Sequence, residues 1–128
     1  KLVSNMYETE NLIHQSKSRR ISKVCRYIEE NISQKITLSD VAQLVNMSDS
    51  AFSHFFKKQT GISFITYVNN IRVAKACDLL ANTNLSASEI CYDCGFNNKS
   101  NFIRLFTKRK NMTPIEYRNH ITQLLIKY

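Results

Sequence analysis

The sequence predicts an all-α protein of about seven helices, built from two copies of one small helical unit joined by a long helix. Three observations carry this. Only 2 Gly and 1 Pro occur in 128 residues, a scarcity that disfavours turn-rich all-β folds. Apolar residues recur at three- and four-residue spacing between clear start and stop signals. A stretch of the chain also repeats itself. Hydrophobic residues make up 43% of the chain, enough for a packed core, and the length fits one domain or two very small ones.

Residues 1–20 mix polar and apolar types, with Lys1 and Lys17 balancing Glu8 and Glu10. They are expected to be a linker or helical remnant arriving from an upstream part. Residue 1 is Lys rather than Met, as expected of a piece of a longer or processed chain. From Ile21 the pattern sharpens: Ile21, Val24, Cys25, Ile28 and Ile32 make one helical face. Thr37-Leu-Ser-Asp40 has the spacing of a capping box, opening a short helix with Val41, Leu44 and Val45 inside. Asn46 suits a left-handed stop, and Ser48 caps a helix carrying Phe52, Phe55 and Phe56. Gly61 ends that helix. Ser63 opens a long one to about Ala81, whose expected inner face is Ile65, Val68, Ile71, Ala74, Leu79 and Leu80.

The grammar then restarts. Ser86-Ala-Ser-Glu89 is a second capping box, with Ile90, Cys91 and Cys94 inside and Gly95 as the stop. Asn98 caps a helix with Phe102, Leu105 and Phe106, which Asn111 ends. Thr113-Pro-Ile-Glu116 is a third box with Pro at the first helical position. Residues 52–71 lie over 102–121 at an offset of 50, with Phe52/Phe102, Phe56/Phe106, Lys58/Lys108, Ile65/Ile115, Tyr67/Tyr117, Asn69/Asn119 and Ile71/Ile121 identical. Upstream the offset is 49, pairing Thr37 with Ser86, Asp40 with Glu89 and Asn46 with Gly95. Each unit is a capped short helix, a tight turn and a second helix: the helix-turn-helix pattern. The expected organisation is a first subdomain at 21–62, a linker helix at 63–81, and a second subdomain with the C-terminal helix at 82–128.

A plain bundle of helical hairpins has the same outline, so the outward faces decide. With Phe52, Phe55 and Phe56 inward, Ser50, Ser53, His54 and Lys57 face out; with Phe102, Leu105 and Phe106 inward, Ser100, Asn101, Ile103, Arg104 and Thr107 do. The formal net charge is +8, and segment 99–110 carries five cations and no acid. Such a basic, donor-rich helix suits a major groove walled by phosphates. Arg104 matches a guanine edge and Asn101 an adenine edge, while Ile103 and Thr107 suit thymine methyls. Ser50, Ser53, His54 and Ser100 are shorter and serve either base type. The first unit is therefore expected to be weaker in direct readout and to act through phosphates, water or DNA shape. Lys57, Lys58, Lys99, Thr107 and Lys108 are expected at phosphates.

Other classes fit less well. Cys91-Tyr-Asp-Cys94 has zinc-like spacing, yet no second Cys or His pair lies near, so buried thiols are expected and no metal or cofactor. His14, His54 and His120 are scattered, there is no glycine-rich phosphate loop, and Asp40 and Glu89 are better explained as caps, so no enzyme is expected. A protein-interaction face would be aromatic and apolar, whereas here only Ile103 departs from a polar, basic surface. Membrane binding would need a wide apolar helix face, and the phenylalanines of 99–110 are needed for the core. Four Cys without a secretory signal or membrane-length apolar run point to a reducing cytoplasm.

The stretches TLSDVAQLVNMSDSAFSHFFKKQTGISFITYVNNIRVAKACDLL and LSASEICYDCGFNNKSNFIRLFTKRKNMTPIEYR, with GF…F…F……MTP…YR near the end, are family-specific. Residues from about 21 to 121 resemble the DNA-binding domain of AraC/XylS-type transcription activators. The resemblance implies seven helices and two recognition helices about 34 Å apart on one face of double-stranded DNA. It places base contacts at Ser50, Ser53, His54, Ser100, Asn101, Ile103 and Arg104. It also implies promoter activation through RNA polymerase, and an N-terminal sensing or dimerisation domain beyond this chain. Cytoplasmic, nucleoid-associated action follows from such a role. Asn111 stands where the family usually has Gly, and Cys91 where it commonly has Ala. Without a heptad seam or large exposed apolar face, the isolated piece is expected to be monomeric.

Overall fold

A computed structural model describes the backbone of residues 2–127 and the side chains of 6–126. Lys1 and Tyr128, the outer ends of the expected 1–20 and 82–128 segments, lie outside the described residues. Seven helices occur in order: α1 (Leu2–Glu30), α2 (Leu38–Leu44), α3 (Asp49–Thr60), α4 (Phe64–Asn82), α5 (Ala87–Asp93), α6 (Lys99–Lys110) and α7 (Pro114–Lys127). No strand is present among the described residues, and the expected all-α class holds.

The helix starts follow the local chemistry. Thr37 Oγ1 accepts from the Asp40 amide while Asp40 Oδ2 accepts from the Thr37 amide, both at 3.1 Å. Ser86 and Glu89 repeat the exchange at 3.1 and 2.9 Å, and Thr113 and Glu116 do so at 3.2 and 2.9 Å. Each box satisfies two amides that the helix itself leaves unpaired. The Thr113 amide and hydroxyl bonds hold the Glu116 carboxyl below its usual pKa. Ser48 and Asn98 cap α3 and α6 through the amides of Ala51 and Asn101. The stops are left-handed where expected: Asn46 at φ 57°, Gly61 at 83°, Gly95 at 89° and Asn111 at 58°.

The chain forms two compact units, residues 1–30 with 36–64 and residues 31–35 with 65–128. In the first, Val24, Ile28, Val41, Ala42, Phe52 and Phe56 are fully buried and Val45 and Phe64 nearly so. Three rings close this core. Phe64 meets Phe52 and Phe56 edge-on at centroid distances of 5.8 and 6.0 Å, and Phe52 lies 5.7 Å from Phe56. In the second unit, Val73, Ala76, Leu80, Ile90, Cys91, Cys94, Phe96, Phe102 and Phe106 form the buried cluster.

Residues 2–20, read as a linker or helical remnant, continue α1 without a break. The expected inner face of α4 changes. Helix α4 buries Phe64 and Val68, then Val73, Ala76 and Leu80, whereas Ile65 is 60% exposed and Ala74 is also exposed. The five-residue step from Val68 to Val73 turns the buried stripe by about 140°. A single-face reading of so apolar a helix therefore picked Ile65 and Ala74 and missed Phe64 and Val73. The monomer expectation assumed little exposed apolar surface; Met6, Tyr7 and Leu12 on α1 and Leu125 and Ile126 on α7 are well exposed.

The helical spacing expected to run through Ile32 stops at Glu30, and segment 31–35 leaves the helix. It follows α1 yet belongs to the second unit. Ser33 donates to the Asp93 carbonyl at 2.7 Å, Lys75 to Ser33 Oγ and the same carbonyl at 2.9 and 3.0 Å, and Arg72 to the Gln34 carbonyl at 3.0 Å. A Cβ on Gly95 would clash with the Ile32 carbonyl oxygen and sit 2.9 Å from Arg72 Nε. Gly95 is thus required by crowding as well as by its positive φ.

Candidate nucleic-acid interface

Helices α3 and α6 each turn a phenylalanine pair inward and a polar face outward. On α3, Phe52 and Phe56 are fully buried, and Ser50, Ser53, His54, Lys57 and Lys58 are all exposed. These five residues line one open depression. The acid in the first turn, Asp49, accepts from the Ser39 hydroxyl of α2 at 2.6 Å, which ties the turn between the two helices.

On α6, Phe102 and Phe106 are fully buried, and Lys99, Ser100, Arg104, Lys108 and Lys110 are exposed. No acid interrupts this helix. Asn101 is half-buried, and its side-chain oxygen accepts from Arg104 Nη2 at 2.6 Å. Ile103 is also half-buried and packs against the core cluster. It helps line a groove of about 450 Å³ with Lys99, the start of α5 at Ser86–Ser88 and the start of α7 at Thr113–Ile115. Thr107 departs from its expected role. Its hydroxyl is buried and has no hydrogen-bond partner, so the part of this residue left outward is carbon. A phosphate needs a donor, and the Thr107 hydroxyl is not presented as one.

The structure also sorts the cations, which composition alone leaves equivalent. Arg72 and Lys75 hold segment 31–35. Arg118 donates to the carbonyls of Leu80, Thr83 and Leu85 at 3.0, 3.2 and 2.7 Å, capping the end of α4 and the turn after it. Arg109 donates to Asn70 at 2.8 Å. Lys57, Lys58, Lys99, Arg104, Lys108 and Lys110 remain exposed on α3 and α6. One more basic face lies outside the expected set: Arg19, Lys23 and Arg26, with Ser18 and Ser22, line a depression on α1. Their four- and three-residue spacing was the available signal.

The thiols of Cys91 in α5 and Cys94 at its C-terminal cap are packed inside the fold. Cys91 and Cys94 are fully buried, and desolvation pushes the Cys94 thiol up to about 11 and raises Cys91 as well. No group of His, Cys, Asp and Glu suited to a metal ion exists among the described residues. Among them, too, no helix is long and apolar enough to cross a membrane.

Known proteins carry the same arrangement. The helix-turn-helix domain family matches residues 41–120. Regulatory protein PocR of Salmonella typhimurium is 36% identical over 104 residues, covering 81% of this chain and 34% of PocR. The chain thus spans about a third of the length of this curated relative. The C-terminal domain of the two-component response regulator yesN from Fusobacterium nucleatum superposes with a TM-score of 0.72 at 35% identity, over 74% of this chain and 93% of that one. A Chromobacterium violaceum transcriptional regulator described as having an AraC-type DNA-binding domain gives 0.76 at 26% identity, over 83% and 95%. With this match over most of its length, and with capped helices, left-handed turns and paired phenylalanines in both units, the chain belongs to the AraC-type helix-turn-helix family of DNA-binding transcription-regulator domains.

Proposed function

We propose that this domain binds double-stranded DNA sequence-specifically by inserting α3 and α6 into successive major grooves. The observation that carries the reading is the exposed, acid-free surface of α6, with Arg104 at its centre, Lys108 one turn on and Lys99 at the start of the helix. Arg104 reads a guanine edge, and Ser100, Asn101 and Ile103 complete the base-facing set on α6. Ser50, Ser53 and His54 form the corresponding set on α3. Lys57, Lys58, Lys99 and Lys108 neutralise phosphates. Short side chains on α3 make its readout weaker and more dependent on DNA shape.

Within a longer regulator, the domain acts in the cytoplasm at promoters as an activator, with RNA polymerase as partner and a sensing or dimerisation domain upstream. The family membership supports this setting.

The test is selection from a randomised duplex pool at two salt concentrations. Two enriched blocks about 10 bp apart with steep salt dependence are expected. A single block would remove α3 from base readout, and weak binding without enrichment would overturn the proposal. Arg104→Ala should relax one base position more than it weakens binding to random duplex.

A further inference from the structure

We infer that Asn101 is a positioning residue for Arg104, so that the two side chains read one base pair as a unit rather than two bases separately. This rests on the reading above, in which Arg104 faces a base. The two residues are three apart on α6, where side chains are neighbours. The guanidinium donates through Nη2 to Asn101 Oδ1 at 2.6 Å, a short, charge-assisted bond. Asn101 is half-buried, and its backbone N–H donates to the Asn98 cap at 2.7 Å, which fixes the backbone from which its side chain springs. Arg104, by contrast, is exposed, and a free arginine has many rotamers to lose on binding.

The donor inventory makes the pairing productive. Guanidinium has five N–H donors, so one directed at Asn101 leaves a second edge for the two acceptors of guanine. An adenine contact would use the Asn101 amide oxygen and amino group together, and that oxygen is shared here with a cation. Asn101 also orients without neutralising. It is an uncharged acceptor on a helix with no acid, so Arg104 keeps its full charge among the phosphates.

The test is the same duplex selection, run on the unsubstituted chain, Arg104→Ala, Asn101→Ala, the double variant and Asn101→Asp. Arg104→Ala and Asn101→Ala are expected to lose preference at the same single base pair, by about tenfold for the first. The double variant should be no less selective than Arg104→Ala alone. Asn101→Asp should restore the preference while weakening binding to all duplexes, because a carboxylate orients Arg104 but repels phosphate. Loss at a different base pair in Asn101→Ala, adding to that of Arg104→Ala, would overturn the inference and leave Arg104 as a reader. Equal weakening on all duplexes in Asn101→Ala would reduce Asn101 to a structural role and also overturn it. No change of preference in Arg104→Ala would instead overturn the base-reading role of Arg104, and the pairing with it.

Discussion

The two helix-turn-helix turns use the same backbone solution with different residues. The first turns through Asn46 at φ 57° and the second through Gly95 at φ 89°. The helix stops that follow reverse the choice, with Gly61 in the first unit and Asn111 in the second. All four positions need the left-handed region, where Gly is free and Asn is tolerated. They differ in what lies outside the backbone. Nothing comes within 4 Å of a Cβ built on Gly61, whereas a Cβ on Gly95 would strike the Ile32 carbonyl oxygen. Equal local conformation therefore does not mean equal tolerance. The stop at Gly61 is open, and the turn at Gly95 is roofed by segment 31–35.

That contrast is breakable. The largest effect is expected for Gly95→Asn, which copies Asn46 into the second turn. Its backbone angle is acceptable, but its Cβ meets backbone rather than a flexible side chain. A loss of about 3 kcal/mol or more is expected from displacing segment 31–35 and its hydrogen bonds. Urea denaturation checks this, and a loss under about 1 kcal/mol would show that the roof yields.

An intermediate effect concerns Cys94, next to Gly95 and fully buried. Its pKa is raised from 9.0 to about 11 by desolvation. The folded thiol holds its proton more tightly than the unfolded one. The contribution is therefore complete below about pH 9 and is lost as pH rises towards 11. Melting temperature measured across that window should fall, and Cys94→Ala should flatten the slope. The position of Cys94 in the first unit is held by Val45, which does not titrate, so this alkaline loss belongs to the second turn. An unchanged slope in Cys94→Ala would assign the pH dependence to other groups.

The smallest effect is expected for Gly61→Asn, which copies Asn111 into an uncrowded stop. A change within about 0.5 kcal/mol is predicted, because only the φ requirement must be met. A large loss in the same denaturation assay would mean that Gly61 is crowded after all, and the distinction between the open stop and the roofed turn would fail.

Much of this was legible in advance because it is local. Capping boxes need residues three apart, left-handed stops need Gly or Asn, and the outward faces of α3 and α6 follow from a 3.6-residue period. The phenylalanine pairs at 52/56 and 102/106 and the exposed Ser50, Ser53, His54 and Arg104 were placed on that basis, and the repeat checked each unit against the other. The inner face of α4 escapes a single helical period because the helix changes its buried side between Val68 and Val73.

The sequence by itself determined the helices, their ends, the twofold repeat and the basic character of α6, since each depends on neighbours a few residues apart. Only the tertiary structure decided which cations are engaged inside the fold, that the Thr107 hydroxyl turns inward, and why Gly95 admits no side chain. Those depend on contacts such as Arg72 with Gln34, Arg118 with Leu85 and Gly95 with Ile32. The partners are separated by 33 residues or more, so no local period connects them. Steric exclusion and hydrogen-bond satisfaction at such separations exist only once the chain has folded.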